Sequence, residues 1–209
     1  VYQGIDSDPH QFPHLVPSTY HSDRYYCLGF NTFGTTYVGI QSYLDTPSLP
    51  ASPPQFDMSG FSVGASSIDS MDVIGGGDYI IYAYTTNGDI FVNRYSEVSE
   101  GWGAEQQISG GVFANYEHVS LAMDAVGYLY LAYNNYDTSS TGEAKLEVRQ
   151  SLIPYDVVSW KTPRIVDSLI GITNFEPVIA VDGAIGAGGL KASVAYLDAR
   201  TANSRVLYT

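Results

Sequence analysis

Two glutamates and two histidines stand at matching points of three similar segments: Asn115-Tyr116-Glu117-His118-Val119, Asn174-Phe175-Glu176-Pro177-Val178 and, more loosely, Gln11-Phe12-Pro13-His14-Leu15. If the fold carries the three segments to one opening, these side chains share a space. Carboxylate oxygen and neutral imidazole both ligate divalent cations, so Glu117, Glu176 and His14 are candidate ligands for Ca2+. Glu117 and Glu176 are equally candidates for the acid and base of a glycoside hydrolase, which needs carboxyls about 5 to 10 Å apart. A purely structural role is the third reading, since polar side chains at strand starts commonly bond neighbouring backbone groups. The stretch Asp198-Ala199-Arg200-Thr201-Ala202-Asn203 and the long turn from Asn134 to Glu143 offer further hydrogen-bonding groups of the kind that sugars accept. The ligand-binding candidates are therefore His14, Glu117, His118, Glu176, Asp198 and Arg200.

Other chemistry finds no foothold. The chain has no Gly-rich phosphate loop after a strand, no Gly-x-Ser-x-Gly elbow, no His-Glu-x-x-His and no Cys-rich metal spacing. Asp6-Ser7-Asp8 alternates carboxylates but lacks the late bidentate Glu of a calcium loop. Cys27 stands alone among Tyr and Phe, which suits a buried thiol acting as a small hydrophobe.

The elements that would position these residues repeat along the chain. Each anchor segment opens an apolar strand, and a degenerate fourth anchor lies near Ser66-Ser67-Ile68. Second strands follow at Tyr26–Phe30, Ile80–Tyr84, Tyr130–Tyr133 and Ser193–Tyr196, their last aromatics 54, 49 and 63 residues apart. Third strands alternate with the period of a half-buried strand at Thr36–Tyr43, Ile90–Ser96, Leu146–Ser151 and Ser204–Thr209. Fourth strands are expected at Gln55–Ser59, Glu105–Ser109 and Arg164–Val166, and Gly75-Gly76-Gly77 reads as a hairpin turn.

Four four-stranded antiparallel units predict an all-β domain, a β-propeller over 1–209 with blades at about 11–59, 65–109, 115–168 and 174–209. The last unit runs out before a fourth strand, while residues 1–5 precede the first anchor as Arg164-Ile165-Val166 precedes the anchor at Asn174. The N-terminal strand is therefore expected to complete the last blade, which closes the ring and leaves no long naked edge. In such a ring the inner strands begin at the face where the turns between second and third strands emerge, which puts the candidate residues around one axial opening.

Ser96-Glu97-Val98-Ser99-Glu100-Gly101-Trp102 resembles a worn Asp-box, the Ser-x-Asp-x-Gly-x-x-Trp turn of the BNR or sialidase-like propellers, and Ser151 with Trp160 echoes it in the next unit. The resemblance implies that Trp102 and Trp160 staple their blades, and it carries no catalytic assignment. Sialidases of that family use three arginines, a Tyr and Glu pair and an Asp, and the six arginines here match no such pattern. The family also builds six blades where this chain counts four.

Nine Lys plus Arg against 22 Asp plus Glu give a net charge of −13, which repels phosphate backbones and anionic membranes. Nucleic acid is thereby disfavoured as a partner, and the absence of any run of about 18 apolar residues argues against membrane insertion. Val1 reads as a processed or trimmed start. Charged residues make up only 15% of the chain, whereas 18 Tyr and 21 Gly accompany abundant Ser, Thr and Asn, a profile that fits an extracellular or cell-surface protein.

From this the expected function is a non-catalytic extracellular module that self-assembles or binds glycans. Strand 1–5 offers a route to a homo-oligomer or filament by completing a neighbour's blade. The alternative is a glycan-active hydrolase or lyase of the sialidase-like or five-bladed kind, with Glu117 and Glu176 in its site. A third possibility is one domain of a longer polypeptide.

Overall fold

The computed structural model describes residues 11–20, 24–32, 36–44, 61–62, 68–108, 114–138, 142–170, 175–182, 192–198 and 203–207. Their regular structure is entirely β, in four antiparallel sheets that each follow chain order. The first holds β1 (Gln11–Pro17), β2 (Arg24–Thr32), β3 (Thr36–Leu44) and β4 (Phe61–Ser62). The second holds β5 (Ser70–Gly76), β6 (Tyr79–Thr86), β7 (Asp89–Ser96) and β8 (Gly101–Trp102), with β9 (Gln106–Gln107) also paired to β7. The third holds β10 (Ala114–Met123), β11 (Leu129–Asp137), β12 (Glu143–Gln150) and β13 (Arg164–Ile170). The fourth holds β14 (Phe175–Val181), β15 (Ala192–Asp198) and β16 (Asn203–Leu207).

The sheets stack face to face, so central strands are buried on both sides and alternate residues serve different neighbours. In β6, Ile80, Tyr82 and Tyr84 pack with Val16 and Met71 between the first and second sheets. Ile81 and Ala83 turn the other way, toward Tyr116, Val119, Leu131 and Tyr133 of the third sheet. In β11 the alternation repeats, with Leu129, Leu131 and Tyr133 facing the second sheet while Tyr130 and Ala132 meet Ile179, Val194 and Tyr196 of the fourth. Double burial is why these strands read as near-continuous apolar runs, each fully buried large side chain contributing about 1.5–3 kcal/mol.

First strands pack on first strands: β1 against β5, β5 against β10, and β10 against β14. Polar side chains knit these seams. Ser70 Oγ accepts from Val119 N at 3.1 Å, and Asp72 Oδ2 accepts from Leu121 N at 2.7 Å and Ser120 Oγ at 3.1 Å. One sheet on, Ser120 Oγ accepts from Ile179 N at 3.2 Å. The turn after β7 is tied back to the first sheet, where Ser18 Oγ donates to the buried Glu97 carboxylate.

Turn chemistry sets the hairpins. Gly77-Asp78 (φ +57° and +68°) and Asn87-Gly88 (φ +51° and +77°) both need two left-handed residues, the requirement of a tight two-residue hairpin. At the far end from Asn87, Tyr155 wedges between the second and third sheets. A Cβ on Gly77 or on Gly127 would lie 2.3 Å from its ring, and Tyr155 O accepts from Arg94 Nη1 at 2.8 Å.

Some elements differ from expectation. The hairpin turn is Gly77-Asp78, with Gly75 and Gly76 still in β5, and the first strand of the second unit begins only at Ser70. The fourth strand of that unit is split into β8 and β9, with Glu105 in the gap taking a 2.5 Å hydrogen bond from the Tyr84 hydroxyl. Asn134 lies within β11, not in the following turn, because it pairs with both Glu117 and Leu146. Trp102 packs edge-on to Tyr82 and Tyr95, with ring centroids 5.4 and 5.2 Å away, and Trp160 lies half-buried against the core between the second and third sheets. The expected strand 1–5, the expected strand Gln55–Ser59 and the side chain of Cys27 lie outside what is described.

Candidate functional site

The start of β10 departs from a regular ladder. Glu117 pairs with Asn134 and Val119 with Tyr133, which leaves His118 as the extra residue of a β-bulge. Its φ is +49°, a conformation uncommon for a residue with a side chain. Such bulges bend the strand and re-aim a side chain, and they recur beside active sites. In β1 the register also shifts, between Gln11 and His14, but there the extra residue lies before His14, which itself pairs with Leu28. In β14 the ladder is regular because Pro177 stands where His118 does, and a proline ring locks φ near −65°.

Neighbouring elements hold this end of β10 in place. Tyr116 N donates to Gly88 O at 3.0 Å, and a side chain on Gly88 would collide with Asn115, its Cβ lying 2.4 Å from Asn115 Oδ1. Asn115 Nδ2 donates to Glu117 Oε1 at 2.6 Å, which orients the half-buried carboxylate. The imidazole of His118, also half-buried, makes no hydrogen bond among the described residues.

Glu176 is exposed, the second residue of β14. Its level relative to Glu117 follows from the seam. Ser120 and Ile179 are bonded to each other, and each glutamate lies three residues before its member of that pair, so the two stand within a residue of the same height at the same end. Asp198 ends β15 opposite Phe175 and so belongs to this end as well. The structure thus gathers the backbone positions of Glu117, His118, Glu176 and Asp198, with His14 at the matching point of β1. The side chains of His14 and Asp198, and all of Arg200, lie outside what is described. Among the described residues no three His, Cys, Asp or Glu side chains cluster as a metal site.

A polar network beneath this end escaped the sequence reading. Glu147 is buried, and its carboxylate accepts from Asn135 Nδ2 at 3.1 Å. Arg149 Nε donates to the Tyr133 hydroxyl at 2.8 Å and Arg149 Nη1 to Ile108 O at 2.9 Å. Burial, reinforced by Glu147, pushes the Tyr133 phenol well above its ordinary range and keeps it protonated. The available signal was Glu147 at an inward position of an alternating strand with Arg149 two residues on.

No protein-family model and no curated protein matches the chain. Solved structures do, and they are β-propeller glycoside hydrolases. The chain is similar to an endo-arabinase from Bacteroides thetaiotaomicron at 13% identity, TM-score 0.52, over 94% of this chain and 73% of that one. It is similar to a Hadza microbial sialidase at 12% identity and TM-score 0.55, over 95% and 46%. A Penicillium chrysogenum alpha-L-arabinanase complexed with arabinobiose matches at 10% identity and TM-score 0.56, over 90% and 61%. The shared feature is the propeller fold, and the chain spans less than two thirds of the last two proteins.

The expected non-catalytic, self-assembling or glycan-binding role is corrected by this comparison, since the solved propellers sharing the fold are glycan hydrolases. That expectation rested on finding no catalytic motif. Residues that successive blades bring together lie a whole blade apart in the sequence, as Glu117 and Glu176 do, so no local motif marks such a pair.

Proposed function

We propose that this chain is a glycan-active hydrolase whose active centre lies at the end where β10 and β14 begin, with Glu117 and Glu176 as its carboxyl pair. One observation carries the reading: two glutamates from repeat-matched segments stand at one level on adjacent first strands, in a fold shared with an endo-arabinase and an arabinanase. Sheets packed face to face are about 10 Å apart, so carboxyls on neighbouring first strands fall toward the wide end of glycosidase spacing. That spacing leaves room for a water and favours inversion at the anomeric carbon. Glu117, whose carboxylate is oriented by the hydrogen bond from Asn115, serves as the base that activates water. Glu176 then protonates the leaving oxygen. His118, re-aimed by its bulge, with His14, Asp198 and Arg200, would contact substrate hydroxyls.

The substrate class to test first is arabinan, with a sialoside reporter second, following what the two kinds of propeller hydrolase act on. A polymer of that size is met outside the cell, so an extracellular location belongs to the proposal. Within it the ring has four blades, strand 1–5 completes the last, and Ser96–Trp102 is a blade-stapling turn of the Asp-box type.

Glu117→Gln and Glu176→Gln, made singly and together, test the assignment by reducing-sugar release. Each should lower kcat by about 10²–10⁴ while leaving the circular dichroism spectrum unchanged. Parental turnover in the double variant would overturn it.

A further inference from the structure

A cleft of about 520 Å³ opens between the third and fourth sheets, lined by Tyr130, Gln150, Lys161, Arg164, Val166 and Val194 among others. Tyr130 and Gln150 pair near the start of β11 and the end of β12, four residues along β11 from Asn134, so the cleft lies toward the end remote from Glu117. Its floor is apolar, made by Val148, Val166 and Val194. Its rim is cationic, and no Asp or Glu among the described residues lines it.

The rim is also organised in advance. The hydroxyl of Tyr130, a residue only 7% exposed, donates to Asp124 Oδ2 at 3.3 Å and accepts from Gln150 Nε2 at 2.8 Å. Gln150 Oε1 in turn accepts from Lys161 Nζ at 2.6 Å, which holds the ammonium at the rim. Arg164 is exposed, and its side chain makes no hydrogen bond or ion pair among the described residues.

The placement of these two cations sets them apart. In a chain with nine basic and 22 acidic residues, carboxylates are plentiful, and the other described basic side chains are engaged. Arg94 holds Tyr155 O, Arg149 holds Tyr133 and Ile108 O, and Lys145 pairs with Glu143. Lys161 and Arg164 face a cleft instead of a carboxylate.

We propose that this cleft is a second carbohydrate site, selective for a sugar unit that carries a carboxylate. The carboxylate meets Lys161 and Arg164, ring hydroxyls meet Gln150 and Thr162, and the C–H face of the ring lies on the valine floor. The site is independent of the hydrolytic centre and would anchor an acidic polysaccharide at a distance from it.

Calorimetry with trigalacturonate, and with galactotriose as the uncharged control, tests this on the full chain. Both ligands are titrated into the parent, into a Lys161→Ala/Arg164→Ala double variant and into the Glu117→Gln/Glu176→Gln variant. The parent should bind trigalacturonate about tenfold more tightly than galactotriose, a preference worth one charge-assisted contact. The preference should vanish in the first variant and persist in the second. An unchanged thermal midpoint of the first variant, both side chains being exposed, shows that it folds. No preference in the parent, a preference that survives loss of both cations, or one lost with Glu117 and Glu176 would each overturn the proposal.

Discussion

Replacing Asp72 by Ala tests how β10, the strand that carries Glu117 and His118, is held to the strand before it. The Asp72 carboxylate accepts from Leu121 N at 2.7 Å and Ser120 Oγ at 3.1 Å across the seam, and from its neighbour Val73 N at 2.8 Å. Hydrogen bonds to a charged group are worth about 1.5–3 kcal/mol each, and the lower figure applies because Asp72 is half-exposed. Losing both seam bonds, with the buried Leu121 N left unsatisfied, should cost about 3 kcal/mol. For a chain of this length each kcal/mol moves the thermal midpoint by about 2–4 °C, so Asp72→Ala should melt about 6–12 °C lower. Asp72→Asn keeps one carbonyl oxygen for Leu121 N and should lose about half as much. Scanning calorimetry of the three proteins at one pH and salt concentration reads both shifts. A midpoint for Asp72→Ala within 2 °C of the parent, or equal shifts for Ala and Asn, would refute the seam as an energetic joint.

Three further predictions follow from particular backbones and charges. Gly127→Ala should cost more than about 2 kcal/mol in chemical denaturation, since its φ is +102° and a Cβ would sit 2.3 Å from the Tyr155 ring. Gly103→Ala, whose nearest neighbours stand at 3.4 Å, should stay within about 0.5–1 kcal/mol of the parent. His118→Gly relieves a left-handed backbone and should leave stability unchanged or raise it by about 1 kcal/mol while reducing glycan turnover; lower stability with normal turnover would show that the bulge serves packing alone. Burial raises the carboxyl of Glu105 above its ordinary value of 4.5, although the Tyr84 hydrogen bond opposes the shift. Its folded pKa then exceeds its unfolded one, so the stability it lends is full below the unfolded value and lost as pH rises through the folded value. Glu105→Gln should flatten the stability profile over that window, read from thermal midpoints between about pH 4 and pH 7.

Much of the fold was legible because burial on both faces writes a near-continuous apolar run. Ile80–Tyr84 and Tyr130–Tyr133 announced β6 and β11, and the anchors at Asn115 and Asn174 announced β10 and β14. Short outer strands were harder. β8 and β9 carry two residues each, and their split depends on Glu105 reaching Tyr84 in another strand, a contact no local pattern encodes. The same limit hid Glu147 and Arg149, whose significance lies in partners on β11 and beyond β9. The absence of a motif misled the functional reading because it treated catalysis as a local property of the chain.

By itself the sequence determined that the protein is all-β, which positions repeat, and that Glu117 and Glu176 are equivalent members of that repeat. Composition and period are enough for this, since a strand's two faces are set by alternation and a repeat needs no partner to be seen. Tertiary structure decided where those positions meet. Only the packing of β10 on β14 sets the two glutamates at one level, only the mismatch with β11 makes His118 a bulge, and only the gap between the third and fourth sheets leaves Lys161 and Arg164 beside an apolar floor. Each of these depends on side chains tens of residues apart meeting across a seam, and that distance in space is not written in their distance along the chain.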